Sequence, residues 1–185
     1  MSKKLLSYFY LFRTQQGFTL VELIAIAVIL GIIASVAIPN LFGLYRENEA
    51  RKAYIRVKNA LTEAQVNANR LNNTCTIEFT QTGSDYFISG EPSSCLLESF
   101  TVNTNVVSLT KTNFSNAPTN ISFSFIGTTP NASTLWITRK SSNNQALENV
   151  ARCIVVSSTG MIRTGFNRNG TCNNVQNQKY DNSVQ

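Results

Sequence analysis

Histidine is absent from this 185-residue chain, and its absence narrows the chemistry that the protein can perform. Without an imidazole, Cys–His and Ser–His nucleophiles are excluded, as are zinc sites that use histidine. The cysteines show no CxxC spacing, so a zinc site built from cysteine alone is not indicated either. We find no phosphate-binding glycine loop and no nucleophile motif. Carboxylate or serine–lysine chemistry would need no histidine, but no residue spacing supports it. The sequence therefore predicts a protein that is not an enzyme and that uses no cofactor and no metal.

The cysteines are few but even in number, which is typical of an exported domain with disulfides. Their positions are Cys75, Cys95, Cys153 and Cys172. Four cysteines can pair into two disulfides in three ways, and all three remain open. The alternative is that all four are buried free thiols. We favour Cys75–Cys95 and Cys153–Cys172, because each of these bridges closes a short loop around a turn-rich segment. Each bridge would stabilise the folded state by roughly 3 kcal/mol.

Charge is nearly missing from residues 18–42, where Glu22 is the sole ionisable side chain. As a helix this run is about 37 Å long, which exceeds a hydrocarbon core of about 30 Å. Its Leu, Ile, Val and Phe residues favour insertion by roughly 4.5–9 kcal/mol in total, against about 3 kcal/mol for one acid. The run therefore predicts a single-pass transmembrane helix. Glu22 is either a terminal carboxylate that reaches the headgroups or a charge that awaits a partner.

The residues around Glu22 favour the second interpretation. Gly17 stands directly before Phe18, and Glu22 follows Phe18 by four residues, with Gly31 and Pro39 further along the run. This pattern resembles the prepilin signature of type IV pilins and type II secretion pseudopilins. A secretory signal peptide is the competing interpretation, but the run is too long for an apolar core of about 7–15 residues and no Ala-x-Ala site closes it.

The resemblance implies a processing and assembly route. A prepilin peptidase would remove the leader peptide, residues 1–17, by cutting after Gly17, and the new amine of Phe18 would be N-methylated. In lipid, that amine and the Glu22 carboxylate of a neighbouring copy would neutralise each other. Gly31 and Pro39 would give the helix flexibility while assembly machinery of the inner membrane draws it into a filament.

Location and role follow from the same resemblance. The subunit would sit in the inner (cytoplasmic) membrane with its C-terminal head exported, and the filament would stand in the periplasm or at the cell surface. We predict a minor pilin of a type IV pilus-like filament, whose partners are other pilins or pseudopilins. The alternatives are a DNA-binding minor pilin in DNA uptake and a type II secretion pseudopilin.

Basic residues behind the apolar run complicate the orientation. The leader contains three (Lys3, Lys4 and Arg13), whereas five lie at 46, 51, 52, 56 and 58. Counting Lys and Arg alone would place the C-terminal side in the cytoplasm, although long domains are translocated largely regardless of this count. The cysteines favour export.

The remainder of the chain predicts an α+β fold, in which a long N-terminal helix packs on an antiparallel sheet. Apolar residues recur at helical spacing, so residues 18–71 form one helix with an amphipathic second half. These residues are Val57, Leu61, Ala64, Ala68 and Leu71. Strands are expected at 76–79, 86–89, 121–125, 135–138, 153–156 and 161–163. They place a globular β head at residues 72–165, followed by a polar C-terminal tail at 166–185 that is mobile unless Cys172 ties it down.

The head carries a second resemblance, to H-type pseudopilins and FimT-like minor pilins. It rests on residues 123–127, 135–137 and 152–163, with the turn Ser158-Thr159-Gly160. Some members of that group bind DNA through basic residues just after the corresponding glycine. This implies Arg163 and Arg168 as DNA contacts on one surface, although Met161 stands where another basic residue is expected.

Overall fold

A computed structural model describes residues 18–111, 118 and 120–176, without the side chains of residues 36–40 and 174–176. The fold is α+β, as predicted: one long helix followed by antiparallel strands. The elements are α1 (Leu20–Leu71), β1 (Cys75–Thr82), β2 (Asp85–Glu91), β3 (Phe100–Asn103), β4 (Val107–Lys111), β5 (Ile121–Phe123), β6 (Ser133–Arg139), β7 (Arg152–Val156), β8 (Ile162–Arg168) and β9 (Thr171–Gln176). The chain divides into two compact units, Met1–Phe42 and Gly43–Gln185. The predicted leader, including Gly17, lies outside the described residues.

Helix α1 ends at Leu71, as the apolar periodicity predicted. Asn72 follows with φ +49°, and the Asn73 N–H donates to the Ala68 carbonyl at 3.1 Å, which closes the helix. A left-handed residue directly after the last turn is a common helix stop, and Asn tolerates that conformation.

The helix residues of the second unit bury one stripe against the sheets. Val57, Leu61, Ala64 and Ala68 are all buried, and they belong to one cluster with apolar residues of both sheets. Leu71 differs from the prediction, because 39% of it is exposed at the helix end. Small residues dominate the stripe, so the helix backbone can approach the strands closely.

The strands form two antiparallel sheets rather than one. The first has the order β3-β2-β1-β5, and the second has the order β4-β6-β7-β8-β9. The predicted strand at 121–125 is shorter than expected, since β5 ends at Phe123 and the Ser124 carbonyl accepts from the Gly127 N–H in a turn. Strands β3, β4 and β9 were missed. Buried and more exposed residues do alternate in β3 and β4, but each has only two apolar residues, and β9 is mostly polar.

Both disulfides favoured by loop length are present. Cys75–Cys95 has a Cα–Cα distance of 5.5 Å, and Cys153–Cys172 one of 6.0 Å. The second bridge joins β7 to β9 and passes over β8, which lies between them in the sheet. A Cβ atom at Gly165 would lie 3.1 Å and 3.3 Å from the two sulfur atoms and 2.5 Å from the Asn173 carbonyl oxygen. Glycine at this position leaves room for the bridge.

The boundary of the head differs from the predicted one. We expected a polar tail from residue 166, but β8 continues to Arg168 and β9 runs from Thr171 to Gln176. Asn169 and Gly170 both have positive φ, at +55° and +79°, as a tight two-residue hairpin turn requires. This turn, together with the Cys172 bridge, holds a polar segment in the sheet despite its low apolar content.

Candidate functional site

Phe18 and the first turns of α1 expose apolar side chains on all sides. Phe18 is 72% exposed and Leu20 is 76% exposed, and even the least exposed large apolar residue of the segment, Ile26, is 43% exposed. The others in this stretch are Val21, Leu23, Ile24, Val28, Ile29, Leu30, Ile32 and Ile33. A helix that is apolar all round is normally buried in a protein core or a membrane. The segment therefore needs a cover that the chain's own described residues do not supply.

A helix cap places Glu22 at the start of this apolar segment. The Glu22 N–H donates to Thr19 Oγ1 at 3.3 Å, and the Leu23 N–H donates to the Thr19 carbonyl at 3.2 Å. Thr19 and Glu22 therefore have the spacing of a capping box, in which a Thr at the N-cap is followed three residues later by an acid. The positive end of the helix dipole also favours a carboxylate in the first turn. Within the described part of the chain, the Glu22 carboxylate makes no ion pair.

Among the residues that the structure describes, no helix is long and apolar enough to cross a membrane. The predicted transmembrane segment 18–42 includes residues 36–40, whose side chains lie outside the description. The same holds for the side chain of Pro39, so its role in helix flexibility stays a prediction. Among the described residues, no heavy atom lies within 4 Å of where a Cβ of Gly31 would stand, so these residues leave room for a side chain there.

Arg163 and Arg168, predicted as a joint DNA surface, are separated by the structure. Both lie on β8, five residues apart, and successive side chains of a strand point to opposite faces of the sheet. The register irregularity in this hairpin falls on β9, because β8 advances from Thr164 to Phe166 while its partner advances from Gln176 to Asn173. The two arginines therefore face opposite sides of β8. Arg163 Nε instead lies 2.8 Å from Sδ of Met161.

Gln65 joins the helix to two loops, a contact that the sequence did not reveal. Its Nε2 donates to the Gly127 carbonyl at 3.0 Å and to the Gly160 carbonyl at 2.8 Å. Both glycines have positive φ, and a Cβ at Gly160 would lie only 1.7 Å from the Gly127 oxygen. The turn at 158–160 was predicted from its composition. Its partner was not, because Gln65 is 95 residues away and carries no local signal.

A second cross-connection was also missed. The Glu47 carboxylate lies 3.2 Å from Arg139 Nε and 3.5 Å from Arg152 Nη2, and these ion pairs tie α1 to β6 and β7. The Arg152 guanidinium also lies 5.7 Å from the centre of the Tyr54 ring and 5.9 Å from that of Phe166. These contacts belong to the head alone, and they fix how its helix sits on the second sheet.

Comparison with known proteins adds sequence and structural matches. The family model described as the prokaryotic N-terminal methylation motif matches residues 12–38. The type II secretion system core protein G of Aeromonas hydrophila is 40% identical over 65 residues, which is 34% of this chain and 46% of that protein. The protein of the same name from Dickeya chrysanthemi is 37% identical over 62 residues, 34% of this chain and 39% of that protein. The matched part thus spans less than half of either relative.

Solved structures give a weaker likeness. A crystal structure of the type IV minor pilin FimU from Pseudomonas aeruginosa covers 69% of this chain and 95% of its own, at 17% identity and a TM-score of 0.49. A second crystal form of the same protein covers 62% of this chain and 90% of its own, at 16% identity and a TM-score of 0.45.

Proposed function

We propose that this chain, which belongs to the family of type IV pilins and type II secretion pseudopilins, is a minor structural subunit of a type IV pilus-like filament. Members of this family are structural subunits rather than enzymes, and an N-terminal helix anchors them in a membrane before assembly. The observation that supports the proposal most strongly is the apolar surface all round residues 20–33, interrupted by the lone carboxylate Glu22.

Two successive environments would cover this surface. Before assembly, the lipid of the inner membrane surrounds the segment, and its apolar side chains outweigh the cost of one carboxylate near the end of the run. In the filament, the same segments of neighbouring subunits replace the lipid. Because lipid and side chains are similarly apolar, the transfer itself supplies little free energy, and specific contacts must favour the filament.

Glu22 supplies such a contact in the proposed mechanism. Cleavage after Gly17 would free the amine of Phe18, and this cation would pair with the Glu22 carboxylate of a neighbouring copy. An unpaired charge in an apolar surrounding is costly, so a subunit out of register by one helical turn would leave two charges uncompensated. The pair therefore determines register, and close van der Waals packing between the helices supplies the rest of the cohesion.

A type II secretion pseudopilin is the second candidate, and the names of the two sequence relatives favour it. Deletion of the gene distinguishes the two roles. Loss of surface filaments with normal protein secretion supports the pilin, whereas retention of a secreted enzyme in the periplasm supports the pseudopilin. The DNA-uptake alternative loses its main structural premise, because Arg163 and Arg168 face opposite sides of β8.

Processing provides the direct test. We expect Gly17→Val to block cleavage, because the peptidase must accommodate the residue before the cut in a narrow site. Gly43→Val is the matched control, since a Cβ at Gly43 meets no atom of the described residues within 4 Å and the position lies beyond the apolar run. Intact mass of the membrane protein is the measurement. A mature mass that begins at Phe18 in both variants would contradict the proposal.

A further inference from the structure

Basic residues follow the apolar run closely, and the proposed function does not yet explain them. Five lie between residues 46 and 58, on the side that the positive-inside rule would keep in the cytoplasm. The two disulfides require an oxidising compartment for the head, so these cations are carried to the exported side. Because these basic residues run against the positive-inside rule, we looked for an anionic partner close to them.

Carboxylates of the head itself form ion pairs with some of the basic residues in this region. Lys52 Nζ lies 2.8 Å from Glu49 Oε1, and the hydrogen bond and charge of Glu49 raise the pKa of Lys52. Glu47 is shared between Arg139 and Arg152. Both carboxylates of the segment are thereby neutralised within the head, and neither is left to compensate further positive charge.

Of the other basic residues, Arg56 lies over the Phe100 ring at 4.6 Å, and Lys58 lies about 10 Å further along α1 than Arg51. Three cations lie nearer to the apolar run or beside Arg46, and we name them the basic collar: Arg46, Arg51 and Lys140. Arg46 Nη1 lies 3.4 Å from the Lys140 carbonyl oxygen, which brings these two residues together. Arg51 is exposed on the outer side of α1. Among the described residues, no carboxylate oxygen lies within 4.0 Å of the charged nitrogens of these three residues, so none of them forms an ion pair there.

Apolar residues adjoin the collar on its N-terminal side. Leu44 is 62% exposed and Tyr45 is 55% exposed, directly before Arg46. Phe42, the last residue of the apolar run, is four residues before Arg46, so the chain between them spans at most about 14 Å. An amphipathic Tyr followed by Arg is the order found where a membrane segment leaves the hydrocarbon for the headgroups.

We propose that the basic collar binds the phosphates of anionic phospholipid headgroups in the outer leaflet of the inner membrane. The proposal rests on the proposed function, which places residues 18–42 in that membrane. Arg51 lies about 10 Å above Leu44 along the helix, and a long arginine side chain reaches back over much of that distance. A fluid anionic surface fits three cations without a fixed pocket better than a folded partner does. The collar would hold the unassembled head against the membrane until the subunit is extracted.

The test uses the full-length protein in phosphatidylcholine vesicles that contain a trace of spin-labelled phosphatidylglycerol or spin-labelled phosphatidylcholine. Electron paramagnetic resonance separates lipid restricted by the protein from bulk lipid. We expect phosphatidylglycerol to be favoured by about threefold, somewhat less than the roughly fivefold that one cation near an anionic surface supplies. The preference should fall in 1 M salt, because exposed charges are screened within about 3 Å there.

Two double variants of equal charge change decide whether the collar is responsible. Arg51→Gln with Lys140→Gln should lower the preference towards one, and it leaves the Arg46 contact intact because the acceptor is a backbone carbonyl. Arg70→Gln with Arg163→Gln, at exposed positions outside the collar, should leave it unchanged. The emission of Trp136, buried in the head, checks that both variants are folded. Should the collar double variant misfold, Arg51→Gln alone should still lose a measurable part of the preference.

The possible failures are distinguishable. Absence of any restricted lipid component means that the chain does not enter the bilayer, which overturns the proposed function itself. A restricted component without headgroup preference overturns the collar alone. An unchanged preference in the collar variant, or an equal loss in the control variant, also overturns it, since the effect would then come from net charge rather than from this site.

Discussion

The helix residues before and after residue 42 both carry apolar side chains, but these side chains differ in what covers them. In the second unit, Leu61 is fully buried under the sheets, and most exposed residues of the helix are polar, with Ile55 and Val66 as exceptions. In the first unit, Leu20 is 76% exposed, and apolar residues surround the axis. Both stretches favour a helix, but only one finds its cover within the chain. The difference indicates that an uninterrupted apolar pattern predicts burial by other molecules, whereas a single stripe predicts burial by the chain's own strands.

The largest loss of stability is expected at Gly160, where the neighbouring backbone leaves no room for a side chain. Gly160→Ala should destabilise the head by more than about 4 kcal/mol, because the new Cβ would collide with the Gly127 oxygen and the residue has positive φ. Gly83→Ala is the matched control: Gly83 has positive φ, but no atom in the described part of the chain lies within 4 Å of its added Cβ, so a loss of roughly 1–2 kcal/mol is expected. Urea unfolding followed by Trp136 emission measures both. Equal losses would show that backbone strain, rather than the contact, sets the requirement.

The same substitution, Leu to Ala, tests the buried helix residues after residue 42 against the exposed ones before it. Leu61→Ala should lower the unfolding free energy of the head by about 2–5 kcal/mol, since it removes a fully buried side chain. Leu30→Ala, at a position that is exposed in the chain, should leave that free energy unchanged within about 0.5 kcal/mol. The same urea unfolding measurement applies. A large loss for Leu30→Ala would mean that the first unit contributes to the core of the head.

A smaller loss of stability is expected when the Gln65 hydrogen bonds to the two loops are removed. Gln65→Ala should cost about 1–3 kcal/mol, because two loop carbonyls lose their donor. Thr62→Ala, one turn earlier, removes only a hydroxyl that donates to the Lys58 carbonyl and should cost less than about 0.5 kcal/mol. Thermal unfolding of the two variants compares them. Indistinguishable midpoints would show that water replaces the Gln65 amide at both loops.

Local patterns made the helix, its end at Leu71, the α+β class and the disulfide pairing predictable. Periodicity marks a buried stripe, and short loops favoured one of the three possible disulfide pairings. The partners of Gln65 and Glu47 were not predictable, since they depend on how distant loops are brought beside the helix. The strand β9 was missed because its stability comes from a hairpin turn and the bridge at Cys172, not from apolar content. The face of each β8 arginine required the strand register, which composition does not encode.

The central claim is that the charge of Glu22 lets the exposed segment exchange lipid for neighbouring subunits. Glu22→Gln separates this role from helix capping, because glutamine keeps the capping-box side chain but removes the charge. The measurement is the ratio of subunit in sheared filaments to subunit in membranes, for wild type, Glu22→Gln and the charge-retaining Glu22→Asp. We predict normal membrane insertion for all three and strongly reduced filament incorporation for Glu22→Gln, with partial retention for Glu22→Asp. Incorporation of Glu22→Gln at the wild-type level would contradict the account and leave the Glu22 charge without a role in assembly.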